Sequence, residues 1–515
     1  MLDLGRTFLQ SAERSPHRTA IVDGPLRLSY RQCHQRILAV AGGLEEIGLE
    51  AGDRLLVVLR NGWEMAALHW ACQFLGVVVT PLNWRAKSDE IEYCLADSQA
   101  KAIVFEEVSA VAVNGAQAAG AIARVGLGVT GAGVLDFERL AAASAVARGP
   151  RASADDLSVM LYTSGTTGRP KGVPRRHRAE RAAALAHVAQ NTYARGERTL
   201  GVMPLYHTMG VRSLLAMALV DGCFVCMPRF DPGAALDLIE RECITNLYLV
   251  PTLYHDLLAH PDFARSRVAS VRKLGFAGAP MHHALLLQLR EAFMPDLFAN
   301  HYGSSEVYTF TIEPDAPAKP GSAGRAGLNA RIRVVKLDAR SSDDLSPANE
   351  EGQIIADLHG DEAFEGYWRR PDADAKALRD GWYYSGDTGY VDADGDLFVT
   401  GRVDDLIISG GENISPVDIE SVLSLHPAVD EVAVAGLRDE RWGQRVVAFV
   451  KRKAWADMQA LDAHCKASSL PNFKRPREYV FVREIPKSPV GKILRRKLVA
   501  GEYEPDPEPT ASPQD

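Results

Sequence analysis

Over the first 400 or so positions, apolar residues come in short unbroken runs, and between the runs they return at helical intervals. Arg54–Leu59 (RLLVVL), Gly76–Leu82, Lys101–Phe105, Phe224–Met227 and Asn246–Val250 read as short buried strands. Ala66–Leu75 and Ala234–Glu242 have the spacing of helices. This alternation predicts an α/β fold, a large N-terminal domain of parallel-rich sheets wrapped by helices. The pattern changes near residues 400–406, just after Asp392-Ala-Asp-Gly-Asp turns into a further strand. Beyond it, Asp418–Leu425 reads as an amphipathic helix, and Val429–Leu437 and Arg445–Lys451 as strands. The expected division is an N-terminal core over 1–401 and a small α+β domain over 406–500. Residues 501–515 hold Pro, Glu, Asp and Ser with almost nothing apolar, and are expected to be disordered.

Composition narrows the class without naming it. A chain of 515 residues is too long for one hydrophobic core. With 46% apolar and 24% charged residues it resembles an ordinary soluble enzyme, and a net charge of −8 argues against a general nucleic-acid partner. The opening Met-Leu-Asp-Leu-Gly-Arg-Thr-Phe lacks the regions of a signal peptide. The most apolar segment, Ala66–Leu82, is broken by His69, Gln73, Gly76 and Pro81, so no membrane insertion is expected. A cytoplasmic monomer or homodimer is the simplest expectation. Among seven cysteines, Cys223 and Cys226 form a lone C-x-x-C inside a strand-like context and are expected to be structural. Gly126-Leu-Gly128-Val-Thr-Gly131 has the dinucleotide spacing, but no helix follows it, so no nucleotide is assigned there.

Chemistry enters at Tyr162-Thr-Ser-Gly-Thr-Thr-Gly-Arg-Pro-Lys-Gly172, downstream of the strand-like run Leu157–Tyr162. Glycines let consecutive N–H groups converge on anionic oxygens; Ser164, Thr166 and Thr167 add hydroxyls, and Lys171 adds charge. The spacing is not that of a Walker A loop, which has four residues between its glycines and Lys-Ser/Thr after the second. Three further stretches follow: Asn300-His-Tyr-Gly-Ser-Ser-Glu306; Tyr384-Ser-Gly-Asp387-Thr-Gly with Gly401-Arg402-Val-Asp404-Asp405 and Ser409-Gly-Gly-Glu-Asn413; and Pro486-Lys-Ser-Pro-Val-Gly-Lys492-Ile-Leu-Arg. Asp387 suits two ribose hydroxyls, and Arg402 suits a ribose or phosphate contact.

In this order and at these separations the four stretches resemble the adenylate-forming superfamily of acyl-CoA synthetases, firefly luciferase and adenylation domains, from about residue 5 to residue 498. Met203-Pro-Leu-Tyr-His-Thr-Met-Gly210, Arg441-Trp-Gly-Gln444 and Phe473-Lys-Arg-Pro476 resemble bacterial aryl-CoA ligases of the chlorobenzoate and benzoate type. The resemblance implies an ATP-, Mg²⁺- and coenzyme A-dependent ligase acting through an acyl-adenylate.

It also implies roles. Thr163, Ser164, Gly165, Thr166, Thr167, Gly168 and Lys171 would hold the β- and γ-phosphates, and Glu306 would help hold Mg²⁺. Lys492 would bridge the attacking carboxylate and the α-phosphate; Lys492, Glu306 and His207 are the candidate catalytic residues. Asp387 and Arg402 would bind ribose, while Gly278, Ala279 and Tyr302 would flank adenine. A hinge at 402–405, centred on Asp404, would let the small domain rotate, withdraw Lys492 and bring the Ser409–Gly411 turn to the site. Gly411 would leave room for the pantetheine arm, and Trp442, Phe473 and Arg475, with Lys474 and Arg477, would meet the CoA nucleotide. Ser305 and Ala277 depart from the usual threonine and glycine without removing a required group.

The acyl pocket is expected around His207, Met209, Phe276, Ala277, Gly303, Val307, Tyr308 and Phe310, with Ala182–Leu185 behind. It offers no carboxylate near His207 for an α-ammonium, which disfavours amino acids, and its aromatic lining fits a flat ring. His207 meets the ring's edge or is a packed gate. A benzoate-type acid is the expected substrate; a medium-chain, alicyclic or other small acid, or transfer to a carrier-protein thiol, is the alternative.

Overall fold

The computed structural model describes residues 2–143, 149–163, 169–453, 457–468, 470–487 and 493–506. Ser164, Gly165, Thr166, Thr167, Gly168 and Lys492, named above as site residues, lie outside the described residues, as does the tail from 507. Two sheets build the large domain. The first runs in the order Val134–Asp136, Ala123–Leu127, Ala102–Glu106, Arg54–Val58, Val78–Pro81, Leu157–Thr163, Lys171–Arg176. All its neighbours are parallel except the last pair, an antiparallel hairpin. Leu55, Leu56, Val57 and Val58 are all fully buried, so both faces of their strand are covered and the apolar run is continuous rather than alternating. The helix Trp63–Leu75 is buried on every side for the same reason, and Gly76 ends it at φ +77°.

The second sheet has a parallel half and an antiparallel half. Leu297–Tyr302, Lys273–Phe276, Asn246–Leu249, Arg198–Gly201, Cys223–Cys226 and Thr19–Asp23 lie side by side in parallel. Beyond Leu297–Tyr302 the sheet continues antiparallel through Thr311–Glu313, Ser322–Ala326, Leu397–Arg402, Trp382–Val391, Gly352–Asp357 and Ile332–Val335. Cys223 and Cys226 are buried on one strand with no disulfide, and burial pushes the Cys223 thiol up to about 11, as a structural cysteine requires. The Gly126 stretch also follows the sequence reading. A Cβ at Gly126 would lie 2.5 Å from the Val129 carbonyl oxygen, and the chain passes into another strand rather than a helix.

Arg402 ends a strand of the large sheet and Ile407 opens the small domain's sheet, with Val403–Asp405 in a 3-10 turn between them. That sheet runs Glu412–Ile414, Ile407–Ser409, Gly443–Arg452, Val429–Asp439, with Glu478–Phe481 parallel to Gly443–Arg452. One expectation fails here. Residues 501–506 do not leave the body: Pro505 bridges to Val482, Asp506 N–H donates to the Phe481 carbonyl at 2.9 Å, Arg452 Nε donates to the Asp506 carboxylate at 2.9 Å, and Tyr503 packs edge-on to Phe449. Polar composition suggested disorder, but an edge strand and one buried arginine suffice to hold six residues. No helix among the described residues is long and apolar enough to cross a membrane.

Candidate active site

The strands Arg198–Gly201, Asn246–Leu249, Lys273–Phe276 and Leu297–Tyr302 all point the same way, so the segments after them leave one edge of the sheet. Three of those segments, 203–210, 277–280 and 303–310, are ones singled out by sequence; the one that follows Asn246–Leu249 is not. In open parallel sheets ligands bind at this carboxyl edge. The last segment is a hairpin loop in which Phe310 N–H donates to the Tyr302 carbonyl at 2.8 Å. Gly303 is required there, since a Cβ would stand 2.1 Å from the Tyr308 carbonyl oxygen.

Asp387 and Arg402 are register partners on adjacent antiparallel strands. Arg402 Nη1 donates to one Asp387 oxygen at 2.7 Å, and the Tyr302 hydroxyl donates to the other at 2.6 Å. Burial, reinforced by the Asp387 charge, holds the Tyr302 phenol well above its ordinary value, so it remains a neutral donor. Gly386, at φ +75°, turns the chain into this pair.

A second group lies across the site. Thr163 and Lys171 are register partners at the neck of the glycine-rich loop. Lys171 Nζ sits 4.0 Å from the centroid of Tyr367, whose hydroxyl donates to Glu306 Oε1 at 2.7 Å. Burial lowers the Lys171 ammonium, and the Glu306 charge opposes that shift. The donor set at Glu306, a buried carboxylate steadied by a phenol, suits a hard divalent cation that keeps other oxygen ligands. Asp392, Asp394 and Asp396 also cluster, but Lys319 Nζ lies 2.6, 3.1 and 2.5 Å from them and already neutralises the group.

Sequence reasoning missed Tyr367, and it missed the splint beneath Glu306. Arg175 is completely buried; its Nε donates to Glu180 at 2.8 Å, and Nη1 donates to the carbonyls of Glu306 and Glu362 at 3.0 and 2.6 Å. The Tyr308 ring stacks 4.0 Å from that guanidinium, and its hydroxyl donates to Glu180 at 3.1 Å. The signal was parity: Arg175 shares a strand face with buried Val173.

The expected acyl lining is more tightly packed than its composition implied. His207 is half-buried at the start of the helix Thr208–Leu219, its Nδ1 accepting from Met209 N–H at 3.4 Å. Met209, Phe276 and Ala277 belong to the core on the Val250 side of the sheet, with Phe276 edge-on to Phe298 at 5.9 Å. Val307 and Phe310 belong to a separate core with Tyr383, and Phe310 meets Tyr302 at 5.1 Å. In the helix His177–Gln190, Ala183 and Ala184 are buried while Leu185 faces outward. Gly278, at φ +85°, and Ala279 stay accessible beside this edge.

In the small domain, Gly410 and Gly411 form the turn between Ile407–Ser409 and Glu412–Ile414, at φ +63° and +88°. Trp442 is 43% exposed and lies over Gly410, where a Cβ would be 2.9 Å from the indole. Phe473 is also largely exposed, Lys474 pairs with Asp418 at 2.6 Å, and Arg475 Nε has no partner among the described residues. Asp404 is exposed in the turn that joins the two sheets.

Comparison with known proteins agrees with this geometry. The model of the AMP-binding enzyme family matches residues 8–368, and that of the AMP-binding enzyme C-terminal domain matches 418–492. The chain is 32% identical over 501 residues to a 4-chlorobenzoate–CoA ligase of Arthrobacter, covering 95% of this chain and 93% of the relative. It is equally 32% identical over 507 residues to a long-chain-fatty-acid–CoA ligase of Mycobacterium tuberculosis, covering 97% and 98%. Among solved structures, ATP-bound MatB from Rhodopseudomonas palustris superposes with a TM-score of 0.88 at 28% identity, covering 97% and 99% of the two chains. With both domain models matched and full-length ligases on either side, the chain belongs to the AMP-binding enzyme family and is an acid–CoA ligase.

Proposed function

We propose that this ligase activates a benzoate-type aromatic acid as its acyl-adenylate and passes the acyl group to coenzyme A. AMP-forming CoA ligases use ATP, Mg²⁺ and CoA. The observation that supports the reaction most directly is the pair of constellations Lys171–Tyr367–Glu306 and Tyr302–Asp387–Arg402, near enough for the Arg402 charge to act on Lys171. The aromatic preference is supported by the 4-chlorobenzoate relative and by the sequence His207-Thr208-Met209, which carries no acidic residue. The equally similar fatty-acid relative favours the second reading, the same chemistry on an aliphatic acid.

In the first half-reaction a carboxylate must approach an α-phosphate that is already anionic, so catalysis is chiefly placement and charge neutralisation. Lys171 would neutralise the β- and γ-phosphates from the neck of the loop. Asp387, held by Arg402 and Tyr302, would accept from the ribose hydroxyls, and Tyr302 with the Gly278–Ala279 turn would flank the base. Glu306 would hold Mg²⁺, which when bound supplies Lewis-acid neutralisation of phosphate oxygens. Lys492 would bridge the two reacting anions. Rotation about Asp404 would then expose the adenylate carbonyl to the CoA thiol along the Gly410–Gly411 turn.

The test is release of AMP and pyrophosphate across benzoates, cinnamates, alicyclic acids and C4–C12 fatty acids, with and without CoA. CoA-dependent turnover concentrated on benzoates is expected. Turnover on fatty acids alone would overturn the aromatic assignment, and pyrophosphate exchange with no CoA-dependent turnover would make a carrier-protein thiol the acceptor.

A further inference from the structure

We propose that Tyr93 is a positioning residue for nucleotide binding, holding Lys171 where it meets the outer phosphates of ATP. The proposal rests on the phosphate-binding reading of Lys171 given above and extends it to a helix that carries none of the expected site residues.

The helix Ser88–Ser98 packs Ile91, Cys94 and Leu95 into the core beneath the first sheet. Tyr93 and Asp97 are four positions apart on it, so their side chains are neighbours on one face. That face meets the two strand ends at the neck of the glycine-rich loop. On the returning side, the Tyr93 hydroxyl donates to the Pro170 carbonyl at 3.0 Å. On the outgoing side, Asp97 Oδ2 accepts from the Tyr162 hydroxyl at 2.6 Å. Pro170 directly precedes Lys171 and Tyr162 directly precedes Thr163, and Thr163 and Lys171 are the last pair of the hairpin ladder. One helix therefore grips both strands at the point where the ladder stops. Pro170 lies just outside that ladder, so its place is set by Tyr93 rather than by strand pairing.

The grip reaches Lys171 from its other flank as well. Trp368 Nε1 donates to the Asp97 carbonyl at 3.0 Å, and the Trp368 backbone N–H donates to the Gly172 carbonyl at 2.9 Å. The residue before Trp368 is Tyr367, whose ring lies against the Lys171 ammonium. There is no slack on this side: a Cβ at Gly172 would stand 3.1 Å from Trp368 Cβ and 3.4 Å from the Tyr162 ring. The peptide after Lys171 is thus fixed by Trp368, and the peptide before it by a single phenol. Burial, with the Asp97 charge, raises the Tyr93 phenol, so it stays protonated as a donor.

A lysine held by fixed backbone on both flanks meets phosphate oxygens without first ordering its own chain, and ordering a chain on binding costs affinity. Loss of the Tyr93 hydroxyl frees the loop-side flank. Binding of the β- and γ-phosphates then weakens, while AMP, which ends at the α-phosphate, does not call on Lys171.

The experiment is calorimetric titration of the full chain with Mg-ATP and with AMP, for the native protein, Tyr93→Phe, Lys171→Met and the double variant. Tyr93→Phe should raise the Kd of Mg-ATP about three- to tenfold, the effect of one neutral hydrogen bond, and leave that of AMP within about twofold. In the Lys171→Met background it should add no further loss, because the two residues act as one unit. Equal weakening of both nucleotides would make Tyr93 a packing residue and overturn the proposal, as would no change in either. A Tyr93→Phe effect that persists undiminished without Lys171 also overturns it. If thermal melting shows Tyr93→Phe unfolded, Tyr162→Phe removes the other half of the grip and is read by the same ratio of ATP to AMP affinity; an unchanged ratio there overturns the proposal too. Mg-ATP binding as tight in Lys171→Met as in the native chain would instead sink the phosphate-binding reading of Lys171, a different failure.

Discussion

Tyr367 touches the two charges that the proposed chemistry needs, stacking under Lys171 and donating to Glu306 at 2.7 Å. Burial, with the Glu306 charge, raises its phenol far above the working range, so it cannot release the proton that holds the carboxylate in place. Tyr367→Phe removes one hydrogen bond to a charged acceptor, worth about 1.5–3 kcal/mol. Pyrophosphate exchange should fall about tenfold and half-saturating Mg²⁺ should rise. An unchanged Mg²⁺ curve would mean that Tyr367 merely packs. Residues of this kind were hidden from the sequence. Tyr367 follows Glu306 by 61 positions and reaches it only because the chain returns to lie beside that loop. Asp387, Arg402 and Glu306 were legible because each sits in a glycine turn whose spacing carries chemistry by itself.

At the scale of elements, the strands named from sequence, such as Arg54–Val58 and Asn246–Leu249, lie within about two residues of their expected places, because burial on both faces leaves runs such as Leu55–Val58 with no polar position. Arg198–Gly201, Lys273–Phe276 and Leu297–Tyr302 carry polar or glycine positions and were not singled out. What the runs could not say was which acyl-segment side chains face a cavity and which face a core. Met209, Phe276, Val307 and Phe310 are apolar in either case, and the structure packs them into two cores. The turn at Gly410–Gly411 offers a cleaner test of element and function. A Cβ at Gly411 would meet no atom within 4 Å, so alanine there costs only the left-handed backbone, about 1–2 kcal/mol. Gly411→Ala should therefore keep pyrophosphate exchange within about threefold while thioester formation from added acyl-adenylate falls about tenfold, if the CoA arm passes this turn. Equal loss in both half-reactions would argue that the turn serves folding alone. Gly410→Ala is expected to harm both, because its Cβ would strike Trp442.

Across the whole molecule, stability is tied to histidines that fold neutral. His177 accepts from Leu4 N–H at 3.2 Å, and burial lowers its pKa from the usual 6.5 to about 4; His69 falls to about 3. Between 6.5 and those values the unfolded chain binds protons that the folded one refuses, so stability drops as pH falls below 6.5. The slope is about 1.4 kcal/mol per pH unit for each ring, and for His177 the loss is complete near pH 4. His177→Gln keeps an acceptor for Leu4 and should flatten the fall of Tm between pH 6.5 and 4.5. A fall as steep as in the native chain would show that His177 already titrates in the fold. The ends of the chain obey a different logic. Residues 501–506 bind to Phe449, Arg452, Phe481 and Val482, all of them in the small domain. In the proposed two-step cycle that domain turns between half-reactions, and residues 501–506 sweep the same arc. Residues 501–506 are therefore a pointer fixed to the moving part, and a dye attached at exposed Glu504 would read the stroke of the enzyme as a change of distance to any mark on the large domain.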